Sequence, residues 1–173
     1  MIFHNDWQDI EKFSEILKRK VYRQNKNLAF VCIGTNKVIG DSIGPRIGSY
    51  LKNTTDLEVY GDLEKNICTK KDIDKINKKI ENKYIIAIDS ALSKSSDIGK
   101  IYIVEKKIKL GNGLNLCKGN IGDISIKVVV AENENDTYKN FLNLKNVDLN
   151  FIQNLTYRVG NGILVSDLKS TIF

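Results

Sequence analysis

The sequence predicts an α/β protein, a three-layer α/β/α sandwich built around a mostly parallel sheet of five strands. Short apolar segments such as LAFVCI (28–33) and YIIAI (84–88) are typical of strands that are buried on both faces of a parallel sheet. Segments with apolar residues at helical spacing alternate with these strands along the chain. The 173 residues are enough for one domain with a substantial core.

Helices and strands follow one another from the amino terminus onward. The helices are predicted over residues 6–20, 43–53, 70–81, 136–144 and 149–168. Favoured N-cap residues stand at Asp6, Thr69 and Asp148, and Pro45 suits the first turn of the second helix because its missing N–H would have no partner there. The strands are predicted over residues 28–33, 56–60, 84–88, 101–104 and 124–130.

One domain is predicted over residues 1–173, with 1–27 as an N-terminal helical extension and 28–168 as the α/β/α core. Gly160 and Gly162 fall inside the last predicted helix, where each glycine costs about 1 kcal/mol relative to alanine. We expect these glycines to let the helix lie close against a strand.

The composition favours a cytoplasmic protein without a nucleic-acid or membrane partner. Lysine and arginine number 27 against 21 acidic residues, giving a net charge of +6, but the lysines are spread along the chain and no arginine-rich run accompanies them. No apolar run approaches the ~20 residues of a membrane helix, and the N-terminus lacks the apolar segment of a signal peptide. Cys32, Cys68 and Cys117 are far apart, which is typical of free thiols in a reducing compartment.

The glycine-bearing segment GTNKVIGDSIGP (34–45) follows the first buried strand but does not fit a nucleotide site. A phosphate loop has the pattern GxxxxGK[ST]. Here Gly34 and Gly40 are one residue too far apart, and Asp41 and Ser42 stand where the lysine and hydroxyl residue belong. A carboxylate at a helix N-terminus competes for the N–H groups that would bind phosphate. The dinucleotide pattern GxGxxG is also absent.

Asp41 and Asp89 are the candidate functional residues. Taken alone, Asp41 suits a helix N-cap, and Asp89 suits a polar strand end that caps residues 92–93. Taken together, they follow two central strands, and ligands of such sheets bind beyond the carboxyl ends of the strands. Two carboxylates ~4 Å apart repel by about 4 kcal/mol at an effective dielectric constant of ~20. The pair therefore either shares a proton, as in acid–base peptide hydrolysis, or holds a cation.

Four segments of the chain together resemble a known family. CIGTNKVIGDSIGPRIG, YGDLEKNI, IIAIDSAL and GNIGDISI occur in this order between residues 28 and 168 and are similar to the YyaC-type sporulation proteins of spore-forming bacteria. That family is similar to the spore germination protease and, more distantly, to the hydrogenase maturation endopeptidases. The resemblance implies a phosphorylase/hydrolase-like fold, a place in the cytoplasm of the sporulating cell or spore, and an aspartate-based peptidase ancestry.

The resemblance also implies roles for individual residues. The proposed catalytic aspartates of the germination protease match Asp41 and Asp89. In the hydrogenase endopeptidases the corresponding acids help to bind nickel together with a later histidine, whereas the one histidine of this sequence is His4. No cofactor is therefore expected, and a divalent metal on Asp41 and Asp89 is the alternative. Asp123 is a further candidate acid, better explained as a loop residue near the start of a strand.

These residues predict an endopeptidase that acts on a small protein substrate through an aspartate pair. Main-chain amides of residues 35–40 are expected to stabilise the oxyanion. The expected substrate-binding residues are Gly34, Thr35, Asn36, Gly40 and Ser90. Serine and cysteine chemistry are not expected, because Ser42, Cys32 and Cys117 lack a histidine partner.

The function, the covering of the site and the oligomeric state are left open by the sequence. One alternative to the endopeptidase is a non-catalytic member of the peptidase fold that binds a partner protein during sporulation. Another alternative is the divalent-metal variant. The glycine-bearing segment 110–122 is an irregular loop that could cover the site. Assembly into a homo-oligomer is also compatible with the sequence.

Overall fold

The structure is a computed structural model that describes residues 2–3, 7–24, 26–109 and 120–167. The strands are β1 (Ile2–Phe3), β2 (Leu28–Cys32), β3 (Val59–Tyr60), β4 (Tyr84–Ser93), β5 (Ile101–Val104), β6 (Ile108–Lys109), β7 (Asn120–Ile121) and β8 (Ile124–Glu132). The helices are α1 (Trp7–Tyr22), α2 (Ile43–Thr54), α3 (Lys70–Lys79), α4 (Thr137–Lys145) and α5 (Leu149–Val165). Within the described part of the chain, none of the helices has the length and apolarity needed to cross a membrane.

The main sheet has the strand order β1-β5-β8-β4-β2-β3. β3, β2, β4 and β8 run parallel, while β5 is antiparallel to β8 and β1 is antiparallel to β5. The prediction of a mostly parallel sheet containing the five strands is confirmed, and β1 adds two residues at one edge. After β2 the chain continues to β3, toward one edge of the sheet, and after β4 it continues to β5 and β8, toward the other edge. The carboxyl ends of β2 and β4 therefore flank the point where the strand order reverses, which is where ligands of such sheets bind.

The two faces of the sheet are covered by different layers, as the alternation of side chains along a strand requires. Phe30 and Cys32 of β2 belong to a large core cluster with α1, α2 and α5. Ala29 and Val31 belong to a smaller cluster with α3, β6 and β7. This arrangement confirms the three-layer α/β/α prediction, and it places α1, in the predicted N-terminal extension, within the larger core.

The predicted helix caps are found where the structure describes them. Thr69 accepts a hydrogen bond from the N–H of Asp72, whose carboxylate accepts from the N–H of Thr69 in return. Asp148 accepts from the N–H of Phe151 at 2.8 Å. Each such cap stabilises its helix by about 1 kcal/mol. Asp6, the cap predicted for the first helix, lies outside the described residues.

The glycines of α5 contact helices, so the prediction that they face a strand was wrong. A Cβ on Gly160 would lie 2.3 Å from the ring of Tyr50 in α2, and one on Gly162 would lie 2.7 Å from the ring of Phe13 in α1. α5 packs against both of these helices on the face of the larger core. Aromatic rings of the neighbouring helices, and not a strand, fill the space that the missing side chains leave.

β4 extends well beyond its predicted end at residue 88. β2 pairs with β4 from Tyr84 to Ile88, whereas β8 continues to pair with it as far as Ser93. Four of the first five residues of β4 are buried, and the last five are all partly exposed. Asp89 and Ser90 therefore lie inside a strand. The predicted strand ended at residue 88 because Asp89 and Ser90 are polar, but the pairing of β4 with β8 continues past them.

α2 lies directly against the main chain at the end of β2. A Cβ on Gly44 would lie 2.0 Å from the carbonyl oxygen of Ile33, and one on Gly48 would lie 1.9 Å from that of Gly61. Both obstacles are backbone atoms, which cannot rotate away as a side chain can. Gly44 therefore fixes the distance between α2 and the end of β2, and Gly48 fixes the distance between α2 and the end of β3.

We expect Gly44→Ala to lower the free energy of unfolding by about 1–3 kcal/mol, because overpacking against the backbone outweighs the helix propensity of alanine. Urea unfolding monitored by circular dichroism measures this change. The control is Asn53→Ala at an exposed position of α2, where a change within about 0.5 kcal/mol is expected. Equal stability of the two variants would contradict the close approach of α2.

Candidate active site

The glycine loop begins with a sharp turn at Gly34. Just before it, the N–H of Ile33 still donates to the carbonyl of Ile88 in β4 at 2.7 Å. Gly34 then adopts a φ of +134°, which glycine adopts at low cost, and its N–H donates to Ile67 at 2.9 Å. A Cβ on Gly34 would lie 2.0 Å from the carbonyl oxygen of Asp41. The turn thus leads the chain away from β4 and makes room for the segment that carries Asp41.

The carboxylate of Asp41 is held by two donors inside the fold. It accepts a hydrogen bond from the N–H of Thr35 at 2.9 Å and another from the hydroxyl of Ser90 at 3.1 Å. The N-cap interpretation of Asp41 was wrong. Ser42 occupies the N-cap position of α2, and no side chain caps that helix. Asp41 instead lies in a short 3-10 turn before α2, from which its side chain reaches β4.

The hydrogen bonds of β4 show which side of the strand is open. The carbonyl of Ile88 accepts from the residue after β2, and the carbonyl of Ser93 accepts from the residue after β8. Even-numbered residues of β4 therefore direct their main-chain groups toward β2, and odd-numbered residues direct theirs toward β8. Ser90 and Leu92 consequently face the side on which β2 has already ended.

The carboxylate of Asp89 lies at this open side. It accepts a hydrogen bond from the N–H of Ser90, which faces the end of β2. Ser90 thus donates to both carboxylates, through its N–H to Asp89 and through its hydroxyl to Asp41. Lys127 is directly opposite Asp89 on β8. The interpretation of Asp89 as a cap of residues 92–93 was wrong, since both residues continue β4.

The two carboxyl groups differ in their affinity for a proton. Burial raises the pKa of Asp41 to about 6, although the N–H of Thr35 and the hydroxyl of Ser90 oppose the rise by stabilising the carboxylate. Burial and, next, the charge of Asp41 raise the pKa of Asp89 to about 8, and Lys127 and the N–H of Ser90 oppose that rise. Near neutral pH, Asp41 is therefore mainly ionised and Asp89 mainly protonated.

Asn66 holds the first part of the glycine loop in place. Its side-chain oxygen accepts from the hydroxyl of Thr35 at 3.2 Å and from the N–H of Asn36 at 2.9 Å. The N–H of Lys37 donates to the hydroxyl of Thr35 at 3.3 Å. The amides of residues 35–37 thus donate to groups of the protein, and we assign them no oxyanion role. Asn66 belongs to the segment YGDLEKNI that carries the family resemblance, but nothing in the sequence connects it with a loop 30 residues away.

The other residues expected to bind substrate also have partners inside the fold. The side chain of Asn36 donates to the carbonyl of Leu63 at 2.7 Å. A Cβ on Gly40 would lie 2.9 Å from the side chain of Leu144 in α4, so Gly40 allows close packing. Ser90 positions Asp41. These residues shape the site, and the accessible chemistry is concentrated at the two carboxylates.

Several other candidates lie elsewhere. Asp123 is at the amino end of the parallel strands, where its carboxylate accepts from the N–H of Ile85 at 2.7 Å, so its interpretation as a residue near a strand start is confirmed. Cys32 is fully buried in the larger core, and burial raises the pKa of its thiol. His4, Cys117 and residues 110–119 of the predicted loop lie outside the described residues.

Asp41 and Asp89 are the side chains that would hold a divalent cation, and this alternative stays a prediction. No group of three or more His, Cys, Asp or Glu side chains converges anywhere in the described residues. Asp41 and Asp89 would supply two ligands, and each already accepts hydrogen bonds from the protein. Hard divalent cations take six or more oxygen ligands in total. Water molecules would have to supply the remaining ligands, and no reaction step is assigned to a metal.

Comparison with known proteins agrees with this architecture. The chain is 28% identical over 172 residues to the Bacillus subtilis (strain 168) protein named "Uncharacterized protein YyaC", covering 96% of this chain and 82% of that protein. Its fold is similar to that of the [NiFe] hydrogenase maturation protease HycI from Thermococcus kodakarensis KOD1, with a TM-score of 0.58, 14% identity, and coverage of 90% of this chain and 99% of that one. The family model described as "Protein of unknown function (DUF1256)" matches residues 1–162. The chain therefore belongs to the DUF1256 family.

Proposed function

We propose that this protein is an endopeptidase in which Asp41 is the general base and Asp89 the general acid. The observation that carries the proposal is the arrangement around Ser90, which donates to both carboxylates at the open side of β4. Pairs of titratable groups whose environments separate their pKa values are typical of acid–base sites. The similarity of the fold to that of a hydrogenase maturation protease supports the same reaction class.

The protonation states suggest how hydrolysis proceeds. Asp41 takes a proton from a water molecule while the water oxygen bonds to the carbonyl carbon of the scissile peptide, and Asp89 gives its proton to the carbonyl oxygen. The resulting tetrahedral intermediate collapses when the C–N bond breaks. Asp41 then transfers its proton to the leaving nitrogen, and the hydroxyl formed from the carbonyl returns its proton to Asp89. Both carboxyl groups end in their starting states.

The substrate class that we propose is a small protein of the sporulating cell or spore, cleaved in the cytoplasm. This part of the proposal rests on the resemblance of the sequence segments to sporulation proteins and to the germination protease.

A second function is favoured by one observation. The amides of Thr35, Asn36 and Lys37 are engaged within the fold, so an oxyanion would need other donors. A non-catalytic protein that binds a partner during sporulation would need none.

Asp41→Asn and Asp89→Asn are each expected to lower the rate of cleavage of a small acid-soluble spore protein at least 100-fold, because each removes a proton-transfer group. Gel electrophoresis and mass spectrometry of the products measure the rate. The control is Asp123→Asn at the opposite end of the sheet, which we expect to keep the rate within about twofold. Equal cleavage by all variants would remove the mechanism, and no cleavage by the unsubstituted chain would favour the partner-binding function.

The rate of cleavage should follow a bell-shaped pH profile with limbs near the pKa values of about 6 for Asp41 and about 8 for Asp89. Ser90→Ala removes a hydrogen bond that lowers the pKa of Asp41, so the acidic limb should move to higher pH. Ser90→Thr keeps the hydroxyl and should restore the original limb. An acidic limb at the same pH in all three proteins would show that Ser90 does not position Asp41.

Stability offers a test of the same protonation states without any substrate. The unfolded chain loses the Asp89 proton near pH 4, whereas the folded chain keeps it up to about pH 8. The free energy of unfolding should therefore fall as pH rises from about 4 to 8, and the fall should be smaller in Asp89→Asn. Urea unfolding at several pH values measures both slopes. Parallel slopes for the two proteins would mean that Asp89 is already ionised in the folded state.

A further inference from the structure

β4 has an open edge that begins beside the two carboxylates. Its last five residues, 89–93, have a partner strand on the side of β8 only, and all five are partly exposed. The carbonyl of Ser90 and both main-chain groups of Leu92 face the other side, where the N–H of Ser90 already donates to Asp89. No strand in the described residues pairs with them there. A strand segment in this state can pair with another extended chain.

The chemistry of this edge suits one kind of occupant. Along an extended strand, donors and acceptors recur on one side every second residue, about 6.6 Å apart, and a second extended polypeptide has the same spacing. The side chains of Ser90, Ala91 and Ser93 are small and partly exposed, whereas Leu92 packs against the larger core. The hydrogen bond between Ser90 and Asp41 places the start of the edge at the proposed catalytic pair.

We infer that residues 90–93 of β4 bind an extended segment of the substrate as an added β-strand, which places one of its peptide bonds beside Asp41 and Asp89. Recognition runs through main-chain N–H and C=O groups, so the bound segment must be unfolded but is not restricted to one sequence. The identity of this occupant as a substrate rests on the proposed function. Its mode of binding does not depend on cleavage.

The test uses Asp41→Asn protein, which prevents turnover, and a phage-displayed library of random twelve-residue peptides. An enriched peptide is synthesised with a fluorophore, and its affinity is measured by fluorescence anisotropy. The peptide is then N-methylated at each position in turn, because a methyl group removes one main-chain donor. We expect affinity to fall about tenfold at alternate positions and to stay within about twofold at the positions between them. Hydrogen exchange at the Leu92 amide should slow when the peptide binds.

Two substitutions test the protein side of the interface. Leu92→Pro removes the N–H on the open side and should lower peptide affinity about tenfold, whereas Leu92→Ala keeps the main chain and should lower it less than threefold. Circular dichroism reports whether Leu92→Pro is folded. If this variant is unfolded, the series of N-methylated peptides alone tests whether the peptide binds as an added strand. Failure to enrich any peptide, a loss without alternation, or equal losses in the two variants would overturn the inference.

The outcome separates this inference from the proposed function. A peptide that shows the alternating pattern but is not cleaved by the unsubstituted chain would contradict the endopeptidase and leave strand addition standing. A peptide that is cleaved by the unsubstituted chain but binds without the alternating pattern would contradict strand addition and leave the endopeptidase standing.

Discussion

The site depends on one residue, Ser90, which donates hydrogen bonds to two acidic side chains that arrive from different directions. Its N–H reaches Asp89 and its hydroxyl reaches Asp41. Two adjacent carboxylates repel one another, and burial increases the cost of charging both. Burial raises the pKa of both carboxyl groups, and the charge of Asp41 raises that of Asp89 further. The hydrogen bonds from Thr35 and Ser90 and the charge of Lys127 oppose these shifts without cancelling them, and the pKa of Asp41 stays below that of Asp89.

This arrangement exists because two neighbouring strands differ in length. β2 ends at Cys32, and the chain turns away at Gly34, while β4 continues for five residues beyond its pairing with β2. The space left by β2 admits the turn with Asp41, and α2 is held close behind it by Gly44. The position of Asp41, the geometry of its loop and the packing of α2 therefore share one cause. A longer β2 would pair with Ser90 and leave no room for the Asp41 side chain.

Much of the fold could be predicted from the sequence because its signals are local. Apolar runs located the buried strands, and Thr69 and Asp148 marked helix starts. Asp41 and Asp89 were brought together by the rule that ligands bind where strand order reverses. The remainder depends on contacts between distant residues. The continuation of β4 is determined by its pairing with β8, and the register of this pairing places Lys127 opposite Asp89. The contact between Asn66 and the glycine loop joins residues that are 30 positions apart in the sequence.

The outer boundaries of the sheet have a consequence for self-association. β1 and β3, which form the two outermost positions, are two residues long each, so they offer little template for the stacking of one molecule onto another. The longer unpaired segment, at the end of β4, is bordered by the turn that carries Asp41. If this segment binds an extended chain as we infer, a flexible chain would fit along it, whereas a folded neighbour would meet the turn.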